Sequence, residues 1–463
     1  MVAPAVERPG EAADRERSTV ALVALGCPKN TVDAEVMLGD LQRRGLRIVR
    51  EPREADVVIV NTCAFVEDAK RESIAAVVDA AQLKEDRDAP PRGLFVTGCL
   101  AQRYADELAA ELPEVDAVVG FESYSEIPDK IFNVLAGNGG DTTDVAVGSA
   151  SVPFRAEDDR WLLTPKHSAY IRVAEGCDHS CTFCAIPGFR GAFRSKPFDT
   201  LVAEAERLVA GGVRELNLIA EDTNQYGSDW AGRDPRRLSD LIRTLAAMPE
   251  LKWIRLLYCY PSYFSDELVD VIATEEKVVK YIDIPLQHLA ASTLRRMQRP
   301  GAKATIGLLE RLKAKVPDLV LRSTFICGFP GETDEEHVEL VRTARRLGFE
   351  RGGAFAYSRE DGTPAADYDE QVDEELKQDR RDEMMALFQQ RGREWALAQV
   401  GRELRVIVDS MEGLDAVGRS EFDAPEIDNV VRIPGMPLAP GTTLRVRVVA
   451  VDDVDLIAEP VFE

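Results

Sequence analysis

No stretch of about 18 consecutive apolar residues occurs in the chain, and a helix crossing a bilayer needs roughly that many, so no membrane span is expected. Met1 to Ser18 carry Pro, Glu and Arg but no apolar core, so no secretory signal is expected and a cytoplasmic protein is. Positive charge is scarce as well: 57 Lys and Arg face 81 Asp and Glu, for a formal net charge of −24. A surface of that sign cannot attract nucleic acid as a whole, so any RNA site must be local. There is no repeat of fixed period, and with 45% hydrophobic and 30% charged residues the chain is neither collagen-like nor disordered throughout. What is present is length, 463 residues, enough for about three domains at roughly 150 residues each. Eight cysteines are also present, and in a reducing compartment they point to metal ligation or catalysis rather than disulfides.

Along the chain, three parts are expected after a disordered tail at 1–17. The first, 18–136, has short apolar runs at Thr19 to Leu25, Ala55 to Val60 and Gly93 to Val96, alternating with helical patterns at Asp33 to Arg44 and Glu67 to Leu83. That alternation predicts an open parallel sheet with helices on both faces, whose ligands sit beyond the strand carboxyl ends. Cys27, Cys63 and Cys99 each follow one of these strands directly, so three residues distant in sequence can share one site. A Gly-, Asp- and Thr-rich segment at 137–164 reads as an irregular linker.

The second part, 165–395, carries six strand-like runs: Tyr170 to Ala174, Glu215 to Ala220, Trp253 to Cys259, Val278 to Ile284, Leu319 to Ile326 and Gly353 to Tyr357. Helical stretches separate them, one at Leu201 to Ala210 with Asp199 or Thr200 as its cap, another opening on the capping box Thr333-x-x-Glu336. Six β/α units predict a partial (β/α)6 barrel related to TIM barrels, with its chemistry at the strand carboxyl ends. A long charged helix at Glu374 to Ala398 leads into 396–463. There the short strands Glu403 to Ser410, Val430 to Ile433 and Thr443 to Val451 predict a small antiparallel β-barrel, and the whole chain is of the α/β class.

Cys177-x3-Cys181-x2-Cys184 follows the first barrel strand. Three thiolates on one tight loop suit an iron-sulfur cluster, and because no fourth cysteine stands nearby one iron is left open for a substrate. A zinc knuckle is the competing reading, but it requires a fourth ligand, and His179 lies too near the cysteines to provide it. For Cys27, Cys63 and Cys99 the competing reading is a set of buried core thiols. Glu221 and Asp222 end the second barrel strand, and Gln287 and His288 the fourth, where each pair can touch cofactor or substrate or simply line a solvated loop. Cys259 and Cys327 lie inside apolar strand runs and read as packing, while His167 and His337 read as surface residues.

The three-cysteine loop after the first barrel strand resembles the signature of the radical S-adenosylmethionine superfamily. The words Gly26-Cys27-Pro28-Lys29-Asn30, Asn61-Thr62-Cys63-Ala64-Phe65, Thr97-Gly98-Cys99-Leu100, Ile186-Pro187-Gly188-Phe189-Arg190-Gly191 and Phe325-Ile326-Cys327-Gly328-Phe329-Pro330-Gly331-Glu332 resemble, within it, the methylthiotransferases. Nearly the whole chain is covered, the last part being similar to a TRAM domain, an OB-like barrel. The resemblance implies two four-iron four-sulfur clusters. One, on Cys177, Cys181 and Cys184, is open to S-adenosylmethionine and generates a deoxyadenosyl radical; the other, on Cys27, Cys63 and Cys99, is auxiliary and delivers sulfur, which a second S-adenosylmethionine methylates. It also implies that Gly328 borders the adenine of S-adenosylmethionine, and that a reductant protein such as a flavodoxin or ferredoxin is a partner.

Two branches of the family differ in substrate: one thiomethylates an adenosine of transfer RNA, the other the β-carbon of an aspartate in small ribosomal subunit protein twelve. The C-terminal barrel, 396–463, has six basic residues against thirteen acidic ones. Phosphate binding favours basic docking surfaces, whereas a ribosomal protein is itself basic and is drawn to an acidic face, so the protein substrate is expected and nucleic acid is not the main one. The segments Cys27 to Asp33 and Phe65 to Ser73 also resemble the ribosomal-protein branch. A different class, a non-enzymatic metal-binding or cluster-scaffold protein, predicts no cleavage of S-adenosylmethionine.

Overall fold

The computed structural model describes residues 18–85, 91–140, 142–149 and 160–462. The chain forms two compact units, Met1–Leu163 with Ala185–Ala192, and Thr164–Cys184 with Phe193–Glu463. Among the described residues no helix is long and apolar enough to cross a membrane.

The first unit holds a six-stranded parallel sheet built from β1 (Thr19–Ala24), β2 (Arg47–Ile48), β3 (Val57–Thr62), β4 (Gly93–Thr97), β5 (Ala117–Val119) and β6 (Asp144–Ala146). The strand order is β2-β1-β3-β4-β5-β6, so the topology reverses between β1 and β3. Every residue of β3 is buried, as expected of a strand covered on both faces. Alternate residues feed two cores: Val58, Val60, Leu94 and Val96 one face, Val57, Ile59 and Phe95 the other. Phe189, from the separate stretch Ala185–Ala192, buries in the first of these cores, which explains why that stretch belongs to this unit.

The 137–164 stretch is not irregular throughout. Its residues Asp144–Ala146 form β6, paired with β5, and the backbone N–H groups of Trp161 and Leu163 donate to the Glu35 carbonyl (3.0 Å) and Oε1 (2.8 Å). Glu35 is buried and also pairs with Arg160, so the segment supplies donors that a buried carboxylate requires. The expected tail at 1–17 and residues 150–159 of the expected linker lie outside the described residues.

In the second unit six parallel strands follow one another in chain order: Ser168–Arg172, Glu215–Ile219, Trp253–Leu256, Val278–Asp283, Val320–Cys327 and Arg351–Ala356. The helix expected from Leu201 starts earlier, at Phe198. Pro197 precedes it, so Asp199 is a first-turn residue facing the helix dipole rather than its cap. The capping box is present: Glu336 N–H donates to Thr333 Oγ1 and Thr333 N–H to Glu336 Oε2. The Glu374–Ala398 helix leads to a closed five-stranded barrel of Glu403–Glu412, Asp415–Ser420, Val431–Ile433, Thr443–Asp452 and Asp455–Pro460. The barrel is antiparallel except where Val431–Ile433 runs parallel to Asp455–Pro460.

This small barrel is joined to the larger sheet by buried ions. Glu215 accepts from Arg419 Nη2 at 2.8 Å and from Arg255 Nε at 3.1 Å, Arg351 donates to Asp423 at 2.7 Å, and Arg322 to Asp428 at 3.2 Å. Two sequence readings need correction here. His167 and His337, expected at the surface, are both buried. Each finds a distant carboxylate, His167 Nε2 lying 2.8 Å from Asp409 Oδ1 and His337 Nε2 2.8 Å from Glu383 Oε2. A pattern search along the sequence does not reveal such partners.

Candidate functional site

Cys27, Cys63 and Cys99 stand just beyond the carboxyl ends of β1, β3 and β4, on both sides of the point where the strand order reverses. Doubly wound sheets place their ligand crevice there. Gly26, at φ +91°, shows how close the first two cysteines come, because a Cβ on it would stand 2.8 Å from Cys63 Cβ and 2.9 Å from its Sγ. Only glycine leaves that space and adopts that backbone conformation freely. Asn30 ties the strand ends together, its Nδ2 donating to Thr62 O (2.8 Å) and Leu25 O (3.1 Å), while its Oδ1 stands 3.5 Å from Cys99 Sγ. Ser73 Oγ both accepts from Cys63 N–H and donates to Cys63 C=O, each at 2.9 Å.

Arg190 completes this site. Its Nη2 reaches Asn30 Oδ1 at 3.0 Å, Asp33 Oδ2 at 3.1 Å and Cys99 Sγ at 3.7 Å, and its guanidinium lies 4.5 Å from the Phe121 ring centre. Burial pushes the Cys99 thiol up to about 12; Arg190 opposes the shift, and the charges of Cys27 and Cys63 add to it. Burial likewise raises Cys63. The three thiols therefore share one electrostatic neighbourhood.

In the second unit, Cys177, Cys181 and Cys184 lie on the loop that follows the short strand Ala174–Glu175. Thr182 anchors the loop at its middle, its Oγ1 donating to Arg296 O (2.9 Å), its N–H to Met297 O (3.2 Å) and its carbonyl accepting from Ala365 N–H (2.9 Å). Burial pushes the Cys177 thiol up to about 12; a backbone N–H at His179 lowers it, and Cys184, Cys181 and Glu221 add to the rise. His179 Nε2 is 2.7 Å from Asp222 Oδ2, and its ring stacks on Tyr260 at 3.6 Å with only 8° between the planes. Burial raises Asp222, opposed by His179. Arg299 places its guanidinium 4.1 Å from the Tyr260 ring centre and its Nη1 3.6 Å from Cys181 Sγ.

The other expected positions divide. Glu221 and Asp222 belong to the cysteine loop, the first through its charge on Cys177 and the second through His179. Gln287 is half-buried at φ +71°, a left-handed conformation that costs a non-glycine residue energy, and it bridges to Phe325. His288 is fully buried. Its Nδ1 accepts from Ala290 N–H at 3.0 Å, which leaves the proton on Nε2, 3.5 Å from Glu332 Oε2. Gly328 N–H donates to that same oxygen at 2.9 Å. Gly328 also sits at φ +72°, where a Cβ would approach Lys377 Cγ to 2.3 Å. Next to it, Phe329 meets Phe183 of the cysteine loop edge-on at 6.5 Å. Cys259 and Cys327 are wholly buried, as packing residues are.

These thiols suit a cluster by their chemistry. A buried thiol that resists ionisation in the free protein becomes a thiolate ligand once a metal cation supplies the charge.

Family models match three stretches: Uncharacterized protein family UPF0004 at 19–120, the Radical SAM superfamily at 171–344 and a TRAM domain at 400–461. Ribosomal protein uS12 methylthiotransferase RimO of Desulfitobacterium hafniense (strain Y51) is 43% identical over 96% of this chain and 98% of that one. The chain belongs to the RimO family. A second RimO, from Anaeromyxobacter sp. (strain Fw109-5), is 45% identical over 96% of this chain and 93% of its own. Among solved structures, the radical S-adenosylmethionine methyltransferase TsrM from Kitasatospora setae, with cobalamin and a four-iron four-sulfur cluster bound, covers 75% of this chain and 77% of its own. Its TM-score is 0.51 at 15% identity, a likeness of fold.

Residues that the sequence reading did not single out include Tyr260, Arg299, Asn30 and Arg190, and His179 was weighed only as a zinc ligand and set aside. Asn30, His179 and Arg190 stand within the cysteine words and the Ile186 to Gly191 word, so their neighbourhood was visible although their roles were not. Tyr260 and Arg299 come from 79 and 118 residues beyond Cys181 and carry no local signal.

Proposed function

We infer that this chain adds a methylthio group to the β-carbon of an aspartate in ribosomal protein uS12, with one S-adenosylmethionine as radical source and another as methyl donor. One observation carries the reading: two separate cysteine trios, each at strand carboxyl ends, in a chain similar along its length to RimO proteins. Cys177, Cys181 and Cys184 hold one four-iron cluster in this proposal, and Cys27, Cys63 and Cys99 hold a second. When bound, the first supplies the electron that cleaves S-adenosylmethionine, and the second presents sulfur for transfer.

The protein's own part is positioning. Thr182 fixes the middle of the radical loop, so the spacing of its three thiols does not depend on a mobile segment. The His179–Asp222 bond and the Tyr260 stack hold one side of the loop, and Arg299 presents an N–H to the Cys181 sulfur. Such supports fix ligand orientation and tune the group they carry. In the first unit, Asn30 and Ser73 do the same for strand-end cysteines that arrive from three separate chain segments. A small reductant protein, of the flavodoxin or ferredoxin class, is the expected electron source. The acidic C-terminal barrel supports a basic protein partner over a polyanion.

The test is anaerobic reconstitution with iron and sulfide, followed by assay of deoxyadenosine and of mass gain on uS12 and, separately, on transfer RNA. Cys177→Ala is expected to abolish cleavage of S-adenosylmethionine, and Cys63→Ala to leave cleavage measurable while stopping sulfur insertion. Equal loss of cleavage in both variants would contradict separate roles for the trios. A methylthio gain on RNA alone would overturn the choice of substrate.

A further inference from the structure

Arg190 lies six residues beyond Cys184 in the chain, yet its side chain belongs to the amino-terminal trio. We propose that Arg190 is a positioning residue that sets the reduction potential of the centre held by Cys27, Cys63 and Cys99, acting through the Cys99 sulfur. The proposal rests on the assignment of that trio to a cluster. Its ground is geometric. The side chain is 5% exposed, and Nη2 is shared among Cys99 Sγ at 3.7 Å, Asn30 Oδ1 at 3.0 Å and Asp33 Oδ2 at 3.1 Å, with the Phe121 ring against the guanidinium. A long, flexible cation is thereby immobilised on a ligand sulfur rather than left to reach water.

A guanidinium does not lose its proton in a protein, so the positive charge is permanent. Placed in a dry site, it stabilises the more negative, reduced form of an adjacent cluster over the oxidised form, and its N–H toward sulfur acts in the same direction. Asp33 opposes it at the same nitrogen, 3.1 Å away, leaving a partly compensated charge. The radical loop repeats the arrangement, with Arg299 Nη1 3.6 Å from Cys181 Sγ. In each unit, then, one arginine addresses one of the three sulfurs. Because Arg190 and Cys184 share a short stretch of chain, one segment carries a ligand for one centre and the cation for the other.

The experiment uses the full chain carrying Cys177→Ala, Cys181→Ala and Cys184→Ala, so that only the amino-terminal centre loads with iron and sulfide. Iron content and the midpoint potential from a spectroscopic redox titration are measured, without reference to turnover. Arg190→Gln is expected to retain iron and to favour the oxidised form by about tenfold, a fall of about 59 mV for one electron. Arg190→Lys keeps the charge but not the planar fork, so its potential should fall between the two. Asp33→Asn should move the potential upward. Iron-loaded Arg190→Gln and Asp33→Asn proteins with unchanged potentials, or with shifts of the same sign, would overturn the proposal and leave the ligand assignment standing. Loss of iron from both Arg190 variants would make the residue merely structural, and also overturn it. A parent protein that binds no iron defeats the ligand assignment itself, and this proposal with it.

Discussion

Replacing Glu215 by Gln should make the stability of the second unit less dependent on acid, and the structure gives the size of the effect. Glu215 is wholly buried at the start of the Glu215–Ile219 strand. Burial by itself would raise its carboxyl, but the Arg419 and Arg255 guanidinium groups, with Ser168 Oγ at 3.0 Å, hold it down at about 2 instead of 4.5. Holding the carboxyl at about 2 rather than 4.5 corresponds to roughly 3 kcal/mol. Because the folded value lies below the unfolded one, this stabilisation is complete above about pH 4.5 and disappears as the pH falls toward 2. By pH 3 about 2 kcal/mol of it should be gone. The variant cannot show that loss. Its amide faces Arg255 without charge, while Arg419 keeps Asp409 Oδ2 at 2.7 Å. Urea unfolding of both proteins at pH 6 and pH 3 measures the difference, in which carboxylates outside this ion network cancel. Trp253, 5.9 Å from Arg255, and Trp395, against Arg351 and Phe422, report on this region by fluorescence. A stability gap between the two proteins that is the same at both pH values would refute the reasoning.

Gly328→Ala should destabilise the chain by about 1–3 kcal/mol or more, since φ is +72° and the new Cβ would meet Lys377 at 2.3 Å from Cγ and 3.0 Å from its backbone Cα. A urea midpoint equal to wild type would contradict that packing. Ser73→Ala removes the hydroxyl that serves both the N–H and the C=O of Cys63, at a cost of about 1–3 kcal/mol, and should lower iron loading of the amino-terminal trio. Unaltered stability and iron content would show that the Ser73 contact does not hold Cys63 in place.

Much of this was legible along the chain because it is local or periodic. The β-branched runs at Thr19, Ala55 and Gly93 became β1, half of it buried, and the wholly buried strands β3 and β4, and the Glu374–Ala398 helix has the bounds its charge pattern predicts. Shorter strands such as Arg47–Ile48 and Ala117–Val119 went unseen. With two and three residues they are too brief for alternation to register, and pairing with neighbours makes them strands. His167 and His337 were misplaced for a related reason, since what buries each is a carboxylate on another element. Of the site, the sequence displayed both cysteine trios but only part of their support. Tyr260 and Arg299 reach the radical loop across about 80 to 120 residues, and Gly328 proved to be shaped by a neighbouring helix as well as by its own turn.

What the sequence by itself determined was the kind of chemistry and where each thiol enters: Cys-x3-Cys-x2-Cys fixes three donors on one loop by covalent spacing, and a cysteine after an apolar run falls at a strand's end. What only the tertiary structure decided was which charges face those sulfurs. The reversal of strand order between β1 and β3 brings Cys27, Cys63 and Cys99 into one electrostatic neighbourhood, and Phe189, buried in the first unit's core, carries Arg190 to Cys99. Distances between groups far apart in the chain are set by packing and burial, not by the number of residues between them.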